Sequence, residues 1–382
     1  MLGGASWQLP LLERLFNMDP SRASISKRTT EFCSRFGLKV PILLGPMAGV
    51  PAPGLSVAVC NAGGLGSCGA LLFGPSEISN WVREVRAATS GPVQMNLWVP
   101  DPEPVRDMEH EARVRAFLSR FGPEPKIDAG DARPPSFQLQ CEALLEEKLP
   151  LVSSVMGLFP AHFVAELKQR KVAWIATVST VREARQAEAA GADVIAAQGM
   201  EAGGHRGAFN AALAERELVG LCSLIPAVVD AVSIPVVAAG GIADGRGIAA
   251  ALMLGASAVQ IGTGFLRTPE AQIDSAWADA LVGAAPEDTV VSRVFSGRPA
   301  RSLATGFVKA ATTDDAPEPA PYPVQRGLTA ALRAAAAKSG HVDNLQAWAG
   351  QSAALAQAKP AGKLVFELWR EACELLALGS ER

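Results

Sequence analysis

The chain is poor in the residues that metal sites and disulfide frameworks need. It has four histidines and six cysteines in 382 residues. Cys33, Cys60, Cys68, Cys141, Cys222 and Cys373 are scattered without a Cys-x-x-Cys pair, and no histidines stand at metal-ligand spacing. Neither a zinc site nor a disulfide frame is expected, and reduced cysteines point to the cytoplasm. Excess positive charge is also missing: 35 Lys+Arg face 38 Asp+Glu, a net charge of -3. That balance gives no electrostatic case for binding nucleic acid or an anionic membrane. The N-terminus lacks the basic segment and apolar core of a secretory signal. The most apolar stretch, Leu218 to Ala243, is broken by Pro226, Asp230 and Pro235, which excludes a membrane span there. No Gly-x-Gly-x-x-Gly follows the first strand, so a doubly wound dinucleotide-binding sheet is only the second choice of architecture.

What remains is an ample core: 49% of residues are hydrophobic and 19% charged. The length suits a (β/α)8 barrel of ~250 residues with additions. Residues 1–28 are irregular and polar and read as a disordered N-terminal extension, in which Met18 offers a second start. From residue 29 to 285 strands and helices alternate. The first strand is Val40–Leu44, followed by a helix over Pro53–Asn61 and a second strand within Leu65–Leu72. A helix opening at Ser76 and a strand over Pro92–Trp98 come next. Val99–Ser136 then lapses into proline-rich, charged sequence around a helix at Val105–Phe121, an insertion after strand three lying over the barrel end. Helix Phe137–Lys148, strand Leu151–Val155, helix Ala161–Lys171 and strand Ala173–Val178 restore the alternation. Thr180-Val181-Arg182-Glu183 is a capping box, and Gly191 a left-handed helix end.

An internal echo follows. Gly191-Ala192-Asp193-Val194-Ile195-Ala196-Ala197-Gln198-Gly199 is answered by Gly255-Ala256-Ser257-Ala258-Val259-Gln260-Ile261-Gly262. Between them lie a helix over Glu215–Val232, a strand over Ile234–Ala239 and a helix over Arg246–Leu254. Eight strand signals separated by helices predict an α/β fold, a (β/α)8 TIM barrel. Residues 286–382, with a loop at Asp314–Pro321, are expected to form a helical segment packed on the barrel.

The chemistry concentrates in Ala197-Gln198-Gly199-Met200-Glu201-Ala202-Gly203-Gly204-His205-Arg206-Gly207. Its glycines let the backbone approach a flat or anionic ligand, and His205 is the side chain best suited to act as a general base near neutral pH. Barrel enzymes bind phosphate after strands seven and eight. Here those exits are Gly240-Gly241 and Gln260-Ile261-Gly262-Thr263-Gly264-Phe265, whose backbone amides and Thr263 hydroxyl can bond phosphate oxygens. The first exit, Gly45-Pro46-Met47-Ala48, offers an apolar surface for a planar ring. Asn96, Gln198 and Gln260 stand at strand exits, where amides can bond a ring's carbonyls or a ribityl chain. A phosphorylated flavin, FMN, uses all of these; a small sugar phosphate leaves the first exit idle.

These residues resemble the nitronate monooxygenases, formerly called 2-nitropropane dioxygenases. The resemblance rests on Pro41–Val50, the Gln198-to-Gly207 loop, the two glycine exits and Ser296-Gly297-Arg298-Pro299-Ala300-Arg301. It extends to Tyr322-Pro323 and Trp348-Ala349-Gly350-Gln351, covering the chain from about Thr30 onward. It implies an FMN-dependent oxidation of alkyl nitronates by molecular oxygen to a carbonyl compound and nitrite, with nitroalkanes as substrates left open. His205 matches the catalytic histidine. The expected cofactor-binding set is Met47, Asn96, Gln198, Gly203, Gly204, Gly240, Gly241, Gln260, Gly262 and Thr263, with no metal. Gly45 departs from the alanine more often found in the family, and the N-terminal extension has no counterpart there. The partners implied are a small nitro compound and dioxygen; association into a homo-oligomer is left open.

Two other functions fit less well. A flavin-dependent enoyl-acyl-carrier-protein reductase using NAD(P)H has a similar barrel and Gly-Gly-His loop, but tends to carry Glu where Gln198 stands. A flavin-binding protein without catalysis leaves His205 unexplained. Of the remaining residues, His110 reads as a solvated helix position, His162 as a helix-start residue and His341 as part of a turn. Arg298 and Arg301 are expected to pair with carboxylates, with an anionic substrate as the alternative for one of them. Trp98 belongs either to the pocket wall or to the core.

Overall fold

Strands apolar on both faces need helices over one face and a filled interior on the other. The computed structural model, which describes residues 20–50 and 52–377, has this arrangement. The parallel strands are β1 (Ile42–Leu44), β2 (Gly66–Gly69), β3 (Val93–Trp98), β4 (Leu151–Val155), β5 (Ala173–Val178) and β6 (Val194–Gln198). After the two-residue β7 (Gly204–His205) come β8 (Val236–Ala239) and β9 (Ala258–Ile261). The hydrogen-bonded order of the eight is β1-β9-β8-β6-β5-β4-β3-β2. The ring closes between β1 and β2: Leu43 bridges Leu65 in parallel, and Leu44 N donates to Leu65 O at 2.8 Å. An open doubly wound sheet has two edges; this sheet has none, so the barrel expectation holds.

Inside, the side chains divide by height. At the N-terminal end Leu43, Leu65, Leu151, Ile175, Val194 and Val237 are fully buried in one cluster with Phe32, Phe36 and Leu38. Those last residues come from the end of helix Pro20–Phe36 and the turn after it, which plug the barrel floor. The helix starts within the stretch expected to be an irregular extension. Ile25 is buried, and Arg28 Nη2 donates to Leu252 O at 3.0 Å. Residues 1–19, including Met18, lie outside the described residues. At the C-terminal end the inward positions are glycines, polar residues and Ala239, and the interior opens into a cavity.

The C-terminal segment contains helices Gly306–Ala311, Val324–Leu328, Ala330–Ser339 and Ala361–Ala377. It opens, however, on strands where only helices were expected. β10 (Thr289–Ser292) and β11 (Ala300–Leu303) pair antiparallel, and β11 pairs β7 with Ala300 opposite His205. The insertion after β3 is built into this segment. Val114 and Leu118, from its helix Met108–Leu118, share a core with Phe295, Phe307, Val324 and Leu328. His110 contributes too, with Nε2 2.7 Å from Glu318 O. The helix expected over Glu215–Val232 is shorter, Leu221–Val229. Its first amide, Leu221 N, donates to Glu201 Oε1 at 2.8 Å, so the histidine loop caps it.

Candidate active site

A cavity of about 700 Å³ opens at the C-terminal ends of the strands, within the range of ligand pockets. His205 and every residue of the expected cofactor set line it. Residues some two hundred positions apart in sequence meet here because parallel strands direct all their exits to one end.

The glycine exits are suited to an anion. Gly240 and Gly241 have φ of +109° and +68°, a region costly for other residues. Among the described residues, the backbone N–H groups of Gly240, Gly241 and Gly262 have no acceptor. Gly241 is exposed and Gly240 and Gly262 are half-buried, and a row of free amides lining a cavity is a ready oxyanion cradle. Gly262 lacks a positive φ, at −106°. A Cβ there would meet only Met47, at 3.5 Å from Sδ. Thr263 Oγ1 accepts from Gly350 N at 3.0 Å, leaving its own proton free to donate.

The three amide side chains differ in availability. The Gln260 side chain lines the cavity and has no hydrogen-bond partner among the described residues. Asn96 donates through Nδ2 to Ser153 Oγ at 3.0 Å, and its Oδ1 has no partner among the described residues. Gln198 is already used by the loop: Nε2 donates to His205 O at 3.1 Å and Oε1 accepts from Gly207 N at 2.7 Å. Its principal contribution here is to fold the loop back on itself, with one amide proton still free.

Several buried groups hold that loop. Arg206 is 1% exposed and donates to Gly199 O at 2.6 Å and Gln198 O at 3.2 Å, tying the two ends together. The capping box at Thr180 forms only in part. Thr180 Oγ1 accepts from Glu183 N at 3.2 Å, but the Glu183 carboxylate takes Ser179 N at 2.7 Å and Phe209 N at 2.7 Å. Glu183 thus anchors the loop's exit rather than its own helix's cap. On the far side Trp348-Ala349-Gly350-Gln351 runs along the loop, with Ala349 N donating to Arg301 O at 3.4 Å and Gln351 N to Glu201 O at 2.9 Å.

Gly203 permits this approach: a Cβ there would lie 2.5 Å from Gly350 N. Gly203→Ala should therefore cost about 1–3 kcal/mol as an overpacked contact, measured by denaturant unfolding. A change under about 0.5 kcal/mol would show that residues 349–350 move aside freely.

His205 sits between aromatic rings, 4.7 Å edge-on from Trp98 and 5.1 Å from Trp348. Its Nε2 is 2.8 Å from Ser296 Oγ. Burial first, and then the guanidinium groups of Arg298 and Arg326, push its pKa down from 6.5 to about 3. The imidazole is neutral across the physiological range.

Trp98 combines the two roles expected for it. It is 6% exposed, lines the cavity and stacks on Tyr322 at 4.9 Å. Arg298 lies over the Trp98 ring at 5.6 Å and 3.4 Å from Asp101, the carboxylate partner anticipated for it. Arg301 instead donates to the carbonyl of Met200 at 3.0 Å and to Thr289 Oγ1 at 2.9 Å. His162 is exposed, and His341 stands at the start of a short 3-10 turn.

Sequence reasoning missed Arg326 and Arg333, both on the cavity wall. Arg333 donates to Thr329 Oγ1 at 3.3 Å and Arg326 O at 2.8 Å, and neither arginine has a carboxylate partner among the described residues. The cavity wall is therefore net positive. Nothing in the spacing of residues 324–334 marks them as cavity residues. Ser296 was also missed, though the motif containing it was noticed.

Comparison with known proteins agrees with this geometry. The nitronate monooxygenase family pattern matches residues 30–371. A nitronate monooxygenase from Paraburkholderia phytofirmans is 41% identical over 342 residues, covering 88% of this chain and 93% of that protein. A probable nitronate monooxygenase from Staphylococcus saprophyticus is 36% identical over 359 residues, covering 92% and 99%. Among solved structures, nitroalkane oxidase from Streptomyces ansochromogenes superposes with a TM-score of 0.82 at 36% identity, covering 90% of this chain and 98% of that one. FabK from Thermotoga maritima gives 0.71 at 30% identity, covering 92% and 98%.

Proposed function

Because the chain belongs to the nitronate monooxygenase family, we propose that it is an FMN-dependent oxidoreductase that converts alkyl nitronates and molecular oxygen to a carbonyl compound and nitrite. The observation that carries this proposal is one cavity combining free backbone amides at two glycine exits, a neutral histidine and unpaired guanidinium groups. Gly240, Gly241, Gly262 and Thr263 would hold the FMN phosphate. Asn96 and Gln260 would bond its ring or ribityl chain, and Met47 would lie against the ring. When bound, the flavin supplies the route by which electrons leave the substrate for oxygen.

The protein's own groups account for the rest. The positive wall formed by Arg326 and Arg333 attracts the anionic nitronate. Trp98, edge-on, and Trp348, tilted, hold the His205 ring in place. Where the substrate arrives as a neutral nitroalkane, His205 removes the proton from the carbon beside the nitro group. A pKa of about 3 makes the imidazole a weak base alone. Each proton it takes, however, leaves a nitronate anion beside the imidazolium and the nearby guanidiniums, which offsets the cost of charging the ring.

A pH prediction follows from the lowered pKa. The depressed value means that the ring is already neutral well below pH 6.5. With a preformed nitronate, kcat/KM should therefore show no imidazole step near pH 6.5 beyond the substrate's own ionisation. A wild-type step there that vanishes in His205→Asn would show the ring titrating in its ordinary range.

Denatured protein should release FMN, since two glycine exits accommodate one phosphate group and no adenine-binding motif accompanies them. Mass spectrometry of the supernatant checks this, and FAD would contradict it. The function is tested by anaerobic mixing with a nitronate and, separately, with NADH or NADPH while flavin absorbance is followed. Bleaching by the nitronate is expected. Bleaching by the nucleotide alone would favour the enoyl reductase alternative. We place the protein in the cytoplasm: all six cysteines are free thiols, and no helix among the described residues is long and apolar enough to cross a membrane.

A further inference from the structure

We propose that Ser296 fixes the tautomer of His205, holding the proton on Nε2 and leaving Nδ1 as the nitrogen that meets the substrate. This rests on the reading of His205 as the base and names the atom involved.

The inference comes from accounting for one hydroxyl proton. Ser296 is 1% exposed, and its Oγ has three neighbours. Arg298 N donates to it at 3.3 Å, Arg298 O lies 3.2 Å away as an acceptor, and His205 Nε2 lies at 2.8 Å. A serine hydroxyl has one proton to give. If it went to Nε2, the buried Arg298 carbonyl would lose the partner it has here, an unfavourable arrangement for a buried acceptor. If it goes to Arg298 O, Nε2 carries a proton and donates to Oγ, and all three groups are satisfied. Nδ1 is then unprotonated. It has no hydrogen-bond partner among the described residues, and the ring that bears it lines the cavity.

The backbone keeps the pair in register. Ala300 stands opposite His205 in the β7–β11 pairing, and Arg206 N donates to Pro299 O at 2.9 Å. The turn containing Ser296 is therefore tied directly to the strand bearing the histidine. The aromatic contacts of Trp98 and Trp348 limit rotation of the ring. Ser296 is a positioning residue: it acts on substrate only through His205.

The test is nitrogen NMR of the flavin-loaded enzyme labelled with 15N-histidine, with the His205 signals assigned by their loss in His205→Asn. Wild type should show a protonated, pyrrole-type Nε2 and a bare, pyridine-type Nδ1. In Ser296→Ala the two tautomers should mix. Its kcat on a neutral nitroalkane should fall about tenfold, the scale of one buried hydrogen bond, with KM little changed. Ser296→Thr, which keeps the hydroxyl, should restore both the spectrum and kcat. A wild-type signal from protonated Nδ1 would overturn the proposal even if the alanine variant failed to fold. An alanine variant with the wild-type tautomer would overturn it as well. The tautomer is read independently of turnover, so an enzyme that proved inactive on nitro compounds would sink the proposed reaction without deciding the role of Ser296.

Discussion

Asparagine at position 205 should reduce turnover of a neutral nitroalkane by ~10²–10⁴-fold, the usual contribution of a positioned base. On a preformed nitronate, which has already lost that proton, the loss should be far smaller. The difference between the two substrates isolates proton abstraction from any effect on binding. Asparagine retains a hydrogen-bonding amide, so Ser296 keeps a possible partner and the β7–β11 pairing is not disturbed through the backbone. Both substrates are assayed on both proteins at matched flavin content. Should the variant keep wild-type turnover on each, His205 is a structural loop residue and the proposed mechanism fails.

The second large effect is expected at Gly262. A Cβ there points toward Met47 with 3.5 Å of room and is not opposed by the backbone, whose φ is −106°. Gly262→Val should therefore fold, while its methyl groups occupy space that a phosphorylated ligand needs beside the free amide. An overpacked contact of about 1–3 kcal/mol weakens binding roughly tenfold to hundredfold. The purified variant should be nearly colourless, with unchanged far-UV circular dichroism. Gly240 and Gly241 are poorer test positions, because any side chain there is strained by a positive φ before it touches a ligand. Full flavin occupancy in Gly262→Val would place the phosphate elsewhere in the cavity.

The two variants probe parts of the site that were unequally legible. The Gly262 exit follows from strand periodicity, because a parallel barrel puts the residue after each strand at the same end. His205 was recognisable from its loop, but its protonation state was not. That depends first on burial beside two tryptophans, and then on Arg298 and Arg326, 93 and 121 positions further along the chain. Gln198 is a similar case. Its place at a strand exit suggested a ligand contact, and only the fold reveals that both ends of its amide also shape the loop.

The sequence by itself determined the barrel and singled out residues that the fold gathers around one cavity at the C-terminal ends of the strands. Alternating apolar strands and helices of ordinary length admit few closed arrangements, and glycines with one histidine at the strand exits stand out against an apolar chain. The tertiary structure decided what surrounds those residues. The β10–β11 hairpin gave little signal within a segment otherwise helical. Its pairing with β7 brings Ser296, Arg298 and Arg301 against the histidine loop. Helix Val324–Leu328 and the helix after it add Arg326 and Arg333 to the cavity wall without carboxylate partners. Local periodicity sets which way a strand's side chains face. Contacts between segments a hundred residues apart depend on how the insertion and the C-terminal segment pack together, and no short stretch of sequence encodes that.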